Sequence, residues 1–117
     1  MRFRLLAVAS AAALVAVGIA TGATATTTAV PKLRGTIGPG FTISLKNAAG
    51  KRVKYTFIVR DKAGIHNFTL KGPGVRNKMI TGTGFVGTKT VTLRLKAGKY
   101  RFYCTVHPTI TGTFKVT

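Results

Sequence analysis

From Leu33 onward the chain alternates apolar and polar residues with a period of two, and glycine or proline interrupts the alternation at short intervals. That is the pattern of half-buried strands separated by turns. Residues 33–37 alternate, and so do residues 41–46, where Phe41, Ile43 and Leu45 oppose Thr42, Ser44 and Lys46, with Gly38-Pro39-Gly40 between the two runs. Residues 54–60 (Lys-Tyr-Thr-Phe-Ile-Val-Arg) are dense in aromatic and β-branched side chains and predict a central strand. Residues 65–70 begin the next strand, with His66 at its start, and the glycine-rich region from Gly74 to Gly87 predicts mostly loop. Residues 88–95 predict a strand with Val91, Leu93 and Leu95 inward, joined by a hairpin loop at 96–99 to a strand at 100–104. Residues 112–116 supply the last strand. With no sustained helical period after the N-terminal region, the expected fold is all-β, a Greek-key β-sandwich of about seven to eight strands.

The N-terminal region has a different pattern. Arg2 and Arg4 precede an apolar run over 5–20 broken only by Ser10 and Gly18, and Ala23-Thr24-Ala25 follows as a small-x-small site. This predicts a secretory signal over 1–25, a threonine-rich flexible leader over 26–32 and one domain over 33–117. The run is short for a span of about 20 apolar residues, which favours cleavage over retention as a membrane anchor. The mature chain is then expected outside the cytoplasm, secreted or in the cell envelope, with no stable membrane span.

Charge narrows the partners. Nineteen Lys and Arg stand against a single acidic residue, Asp61, giving a formal net charge of +18, or +16 once Arg2 and Arg4 leave with the signal. An exported protein of this kind is expected to meet an acidic redox partner protein or an anionic cell-envelope surface. Export sets nucleic acid aside, although Tyr55, Phe57, Tyr100 and Phe102 have the chemistry of a stacking platform.

With one carboxylate and no glutamate, paired-carboxylate catalysis is absent. Gly82-Thr83-Gly84-Phe85-Val86-Gly87 spells G-x-G-x-x-G but leads into a strand pattern rather than a helix, so it is not a dinucleotide loop. Asn67-Phe68-Thr69 is formally a glycosylation sequon, placed where burial is expected. A Cys-His nucleophile lacks an assignable orienting group. The chain is not expected to be an enzyme.

The remaining chemistry lies in one cysteine and two histidines. Cys104 has no partner for an internal disulfide, and a lone thiol in an exported domain calls for deep burial or a metal. Tyr100, Phe102 and Cys104 share one strand face, so the sulfur should point into the core, while Pro108 and Gly112 turn His107 back toward it. With His66 at another strand end, two imidazoles and a thiolate form the trigonal set that favours copper in electron-transfer sites. Structural zinc normally takes four protein ligands, and the chain is one donor short.

Residues 64–68 (Gly-Ile-His-Asn-Phe) and 103–112 (Tyr-Cys-Thr-Val-His-Pro-Thr-Ile-Thr-Gly) resemble the ligand segments of the cupredoxins, the blue-copper family of plastocyanin and amicyanin. The resemblance implies that one copper ion, cycling between Cu(I) and Cu(II), is held by His66, Cys104 and His107, with Asn67 and Thr105 steadying the ligand loop. It implies electron passage through the exposed edge of His107, ringed by apolar residues such as Pro108 and Ile110. Burial among Phe57, Tyr100 and Phe102 is expected to keep water from the thiolate. At the axial position, where the pattern calls for methionine, Ile110 stands and cannot donate. The site is then three-coordinate or weakly supplemented by the backbone oxygen of Ile65, and its potential should be raised. Secreted single-electron carriage is the leading reading. Copper storage or delivery, and a metal-free sandwich that binds anionic surfaces, are the alternatives.

Overall fold

The computed structural model describes residues 12–19, 21–22, 29–46, 50–51 and 54–117. The basic start of the predicted signal, its cleavage site and part of the leader lie outside the described residues. Among those described, no helix is long and apolar enough to cross a membrane.

Eight strands form: β1 (Lys32–Ile37), β2 (Ile43–Lys46), β3 (Lys54–Asp61), β4 (Phe68–Gly72), β5 (Val75–Thr81), β6 (Gly87–Arg94), β7 (Gly98–Tyr103) and β8 (Thr111–Val116). Sheet A has the order β2-β1-β3-β6 and sheet B the order β5-β4-β7-β8. All neighbours are antiparallel except β1 and β3, which run parallel from Lys32↔Thr56 to Ile37↔Asp61.

Alternation becomes two faces once the strands pair. In β3, Tyr55, Phe57, Val59 and Asp61 are buried while Lys54 and Arg60 face solvent, and in β7 Tyr100 and Phe102 point inward. Leu33, Ile37, Leu70, Leu95, Phe114 and Val116 complete the filling between the sheets. Each such side chain contributes roughly 1.5–3 kcal/mol by leaving water. Aromatic rings order the layer: Phe68 stacks on Phe102 at 5.7 Å and Tyr100 on Phe114 at 5.2 Å.

The topology gathers four loops at one end. β1 and β3 both finish there, β4 and β6 both begin there, β5 and β7 finish there and β8 begins there, because Phe68 pairs with Thr81, Asp61 with Gly87 and Tyr103 with Thr111. The loops over 38–42, 62–67, 82–86 and 104–110 therefore share a pole.

Three expectations are corrected. Residues 75–81, read as loop, form β5. This is an edge strand whose residues from Arg76 to Met79 are all exposed, so no inward alternation marks it. Residues 96–99 are not a hairpin loop: β6 lies in sheet A and β7 in sheet B, and Leu95 dives into the core at the crossing. Phe41 is not an inward strand residue; β2 starts at Ile43, and Phe41 is 67% exposed at the pole.

Candidate metal centre

His66 comes from the β3–β4 loop, and Cys104 and His107 from the β7–β8 loop. Cys104 directly follows β7, so it inherits the inward phase of Tyr100 and Phe102 and is fully buried. The loop beyond it is a closed turn, with Ile110 N–H donating to the His107 carbonyl at 2.9 Å and Cys104 N–H donating to the Ile110 carbonyl at 3.1 Å. That turn carries the His107 ring back over the sulfur.

The three side chains converge. His66 Nδ1 and His107 Nδ1 lie 3.2 Å apart, and the Cys104 Sγ is 3.8 Å from His107 Nδ1 and 4.0 Å from His66 Nδ1. A metal about 2.0 Å from nitrogen and about 2.3 Å from sulfur, with trigonal angles, separates its donors by about 3.5–3.7 Å. The observed triangle brackets those values, so the residues fit a single small ion near the plane of the donors.

The tautomer of His66 follows from its other nitrogen. Nε2 lies 3.0 Å from the Gly40 carbonyl, which can only accept, so Nε2 carries the proton and Nδ1 turns a lone pair toward Cys104 and His107. Gly38 makes this approach possible: its φ is +75°, and a Cβ there would sit 3.4 Å from the His66 ring and 3.2 Å from Ala63. Phe41 then covers both imidazoles edge-on, at 5.4 Å from His66 and 5.1 Å from His107. His66 and Cys104 are fully buried while His107 is half-buried, so only His107 offers an edge to solvent.

Asn67 braces the arrangement from below. Its Nδ2 donates to Thr105 Oγ1 at 2.7 Å and to Thr83 Oγ1 at 3.2 Å, while its Oδ1 accepts from Thr69 Oγ1 at 2.8 Å and from Thr105 N–H at 3.1 Å. Its backbone N–H points at the Cys104 sulfur at 3.4 Å. Two amide protons and two lone pairs are thus all used, which leaves this fully buried amide no freedom to flip.

No protein-family model and no curated protein sequence matches the chain. Solved structures do. The copper protein rusticyanin superposes with a TM-score of 0.55 at 17% identity, over 74% of this chain and 76% of its own. Auracyanin B superposes with a TM-score of 0.52 at 15% identity, over 78% of this chain and 93% of its own. This chain has the cupredoxin fold.

Within that cupredoxin sandwich, His66, Cys104 and His107 are brought together as expected, and Asn67 and Thr105 bond to each other beside them. The apolar rim is composed differently from the expectation. Pro108 is exposed as expected, but Ile110 is only 6% exposed and belongs to the core, and Phe41, Ile65, Val86 and Val106 are further exposed apolar residues of the pole loops. Thr83 and Gly40 reach the site from loops distant in sequence. The segment from Gly82 to Gly87, read as a false dinucleotide motif, packs on the ligand side through Gly84 N–H to the Gly64 carbonyl at 2.6 Å.

Proposed function

We propose that this protein is a secreted electron carrier that holds one copper ion through His66, Cys104 and His107. The observation that carries the reading is the donor triangle itself, one thiolate and two imidazole nitrogens 3.2–4.0 Å apart, with no fourth His, Cys, Asp or Glu grouped with them among the described residues. That donor set and trigonal outline suit copper better than structural zinc. The fold shared with the copper protein rusticyanin supports the same choice.

Bound copper would supply a one-electron couple and a visible thiolate charge-transfer band. The protein does the rest. Asn67 ties the ligand loop to β4 and to the 82–86 loop, so the donors stay in place when charge changes and little has to reorganise. Burial of Cys104 and His66 excludes water from the sulfur, and the half-exposed His107 gives the route by which an electron reaches a partner. Ile110 offers no donor, and Met79 is 46% exposed on β5, so the site lacks a thioether and its potential is raised. Export rests on the apolar run over 5–20 and Ala23-Thr24-Ala25. An acidic redox partner or anionic envelope surface suits a chain whose one acidic side chain, Asp61, is 1% exposed.

The test is addition of one equivalent of Cu(II) to the purified protein. The expected outcome is one copper per chain with an intense visible band that Cys104→Ser abolishes. Copper bound without that band, or no stoichiometric binding, overturns the reading. Electron self-exchange of the loaded protein separates a carrier from a storage protein, which would instead release Cu(I) to a chelator.

A further inference from the structure

Cations on the outer face of sheet B are paired with cations. The β4–β7 register sets Lys71 directly opposite Arg101, and the β7–β8 register sets Lys99 opposite Lys115. Like charges opposed across a strand pair repel and destabilise the sheet. Because Lys99 and Arg101 are two apart on β7, the two pairs merge into one quartet. The chain has no way to neutralise it, since Asp61, its only acidic residue, is buried at the other sheet.

The quartet borders a groove of about 400 Å³ lined by Lys71, Gly72, Lys99, Tyr100, Arg101 and Thr113. The Arg101 guanidinium is already fixed: Nε donates to Thr111 Oγ1 at 2.8 Å, Nη2 donates to the Pro108 carbonyl at 2.8 Å, and the group lies 4.4 Å over the Tyr103 ring. Two of its five N–H groups are used, which leaves three directed by a rigid fork. A cation held this way loses little freedom when it binds a ligand, and a guanidinium with two lysines on the same groove suits a multivalent oxyanion.

We propose that this groove is a binding site for a phosphate-type oxyanion, gripped by Arg101 and flanked by Lys71 and Lys99, with the Thr113 hydroxyl in reach of the bound group. The site uses none of His66, Cys104 and His107, and Arg101 touches their loop at the Pro108 carbonyl. Its natural source is either free phosphate or the phosphate of a lipid headgroup, which present the same chemistry to the groove.

Titration calorimetry with inorganic phosphate, against chloride at matched ionic strength, tests the proposal. Sedimentation with phosphatidylcholine vesicles containing phosphatidylglycerol tests the headgroup source. Lys71→Gln and Lys99→Gln remove groove charges from exposed positions, Arg101→Lys keeps the charge and removes the fork, and Arg34→Gln and Lys46→Gln remove equal charge from sheet A. Saturable binding of phosphate or of vesicles that weakens at least tenfold in each groove variant, and less than twofold in the sheet A variants, supports the site. The arm that shows it identifies the source. Equal weakening in both sets of variants, full affinity in Arg101→Lys, or no saturable binding in either arm overturns it.

Discussion

Asn67 holds three segments together with one side chain, and the physical cost of removing it is correspondingly concentrated. Asn67→Ala strands the buried Thr69 hydroxyl and removes the partner of the Thr83 and Thr105 hydroxyls and the Thr105 N–H, which are bonded at part-buried positions. The expected loss is about 2–4 kcal/mol of stability in chemical denaturation. A loss below about 0.5 kcal/mol would make the network incidental. Ile110 makes the opposite kind of prediction, in which a donor is gained. Ile110→Met should lower the reduction potential of the copper-loaded protein by about 59 mV for each tenfold gain in preference for Cu(II) over Cu(I). An unchanged potential would remove residue 110 from the axial position. The cluster of His66, Cys104 and His107 was legible in the sequence because Cys and His are rare in it and their chemistry is specific. Phe41, Gly40 and Thr83 were not, because a phenyl ring, a carbonyl and a hydroxyl acquire a role at the site only when distant loops meet.

Among the elements, the strands that bury one face were readable from their alternation; β3 follows it closely, and β6 only over its half from Thr90 to Arg94, where Val91 and Leu93 are half-buried. β5 escaped because an edge strand with solvent on both sides of Arg76–Met79 has no period to display. The β6–β7 connection escaped for another reason. Lys-Ala-Gly-Lys serves equally for a hairpin and for a passage between sheets, and only the packing of Leu95 and Tyr100 decides. Tyr100 fastens that passage: its single hydroxyl proton is shared between the Lys96 carbonyl at 2.8 Å and the Pro73 carbonyl at 3.1 Å. Tyr100→Phe should therefore cost about 1–2 kcal/mol with the fold intact, measured by urea denaturation. Burial raises the Tyr100 hydroxyl above the ordinary tyrosine range, with the bond to Lys96 pulling weakly the other way. The folded chain thus keeps a proton that the unfolded chain releases, so the stability from this group holds below about pH 10 and declines above it. Tyr100→Phe should flatten that decline, and an identical alkaline profile in both proteins would contradict the assignment.

At the scale of the whole molecule, the sandwich and its charge were legible, and the distribution of that charge was not. The sequence spreads lysine and arginine from Lys32 to Lys115 with no dense run, and only strand register stacks Lys71 on Arg101 and Lys99 on Lys115. The parallel pairing of β1 with β3 has its own outcome for how the molecule is held. Because β1 runs toward the pole that carries His107, the chain enters the domain at the opposite end, where the Pro31 carbonyl accepts from Thr56 N–H at 2.9 Å. The six residues of β1 set that entry roughly 20 Å from the pole loops. A protein fastened to a support by its N-terminal side would therefore stand with His107 facing outward, turned to the medium, and its point of attachment behind it.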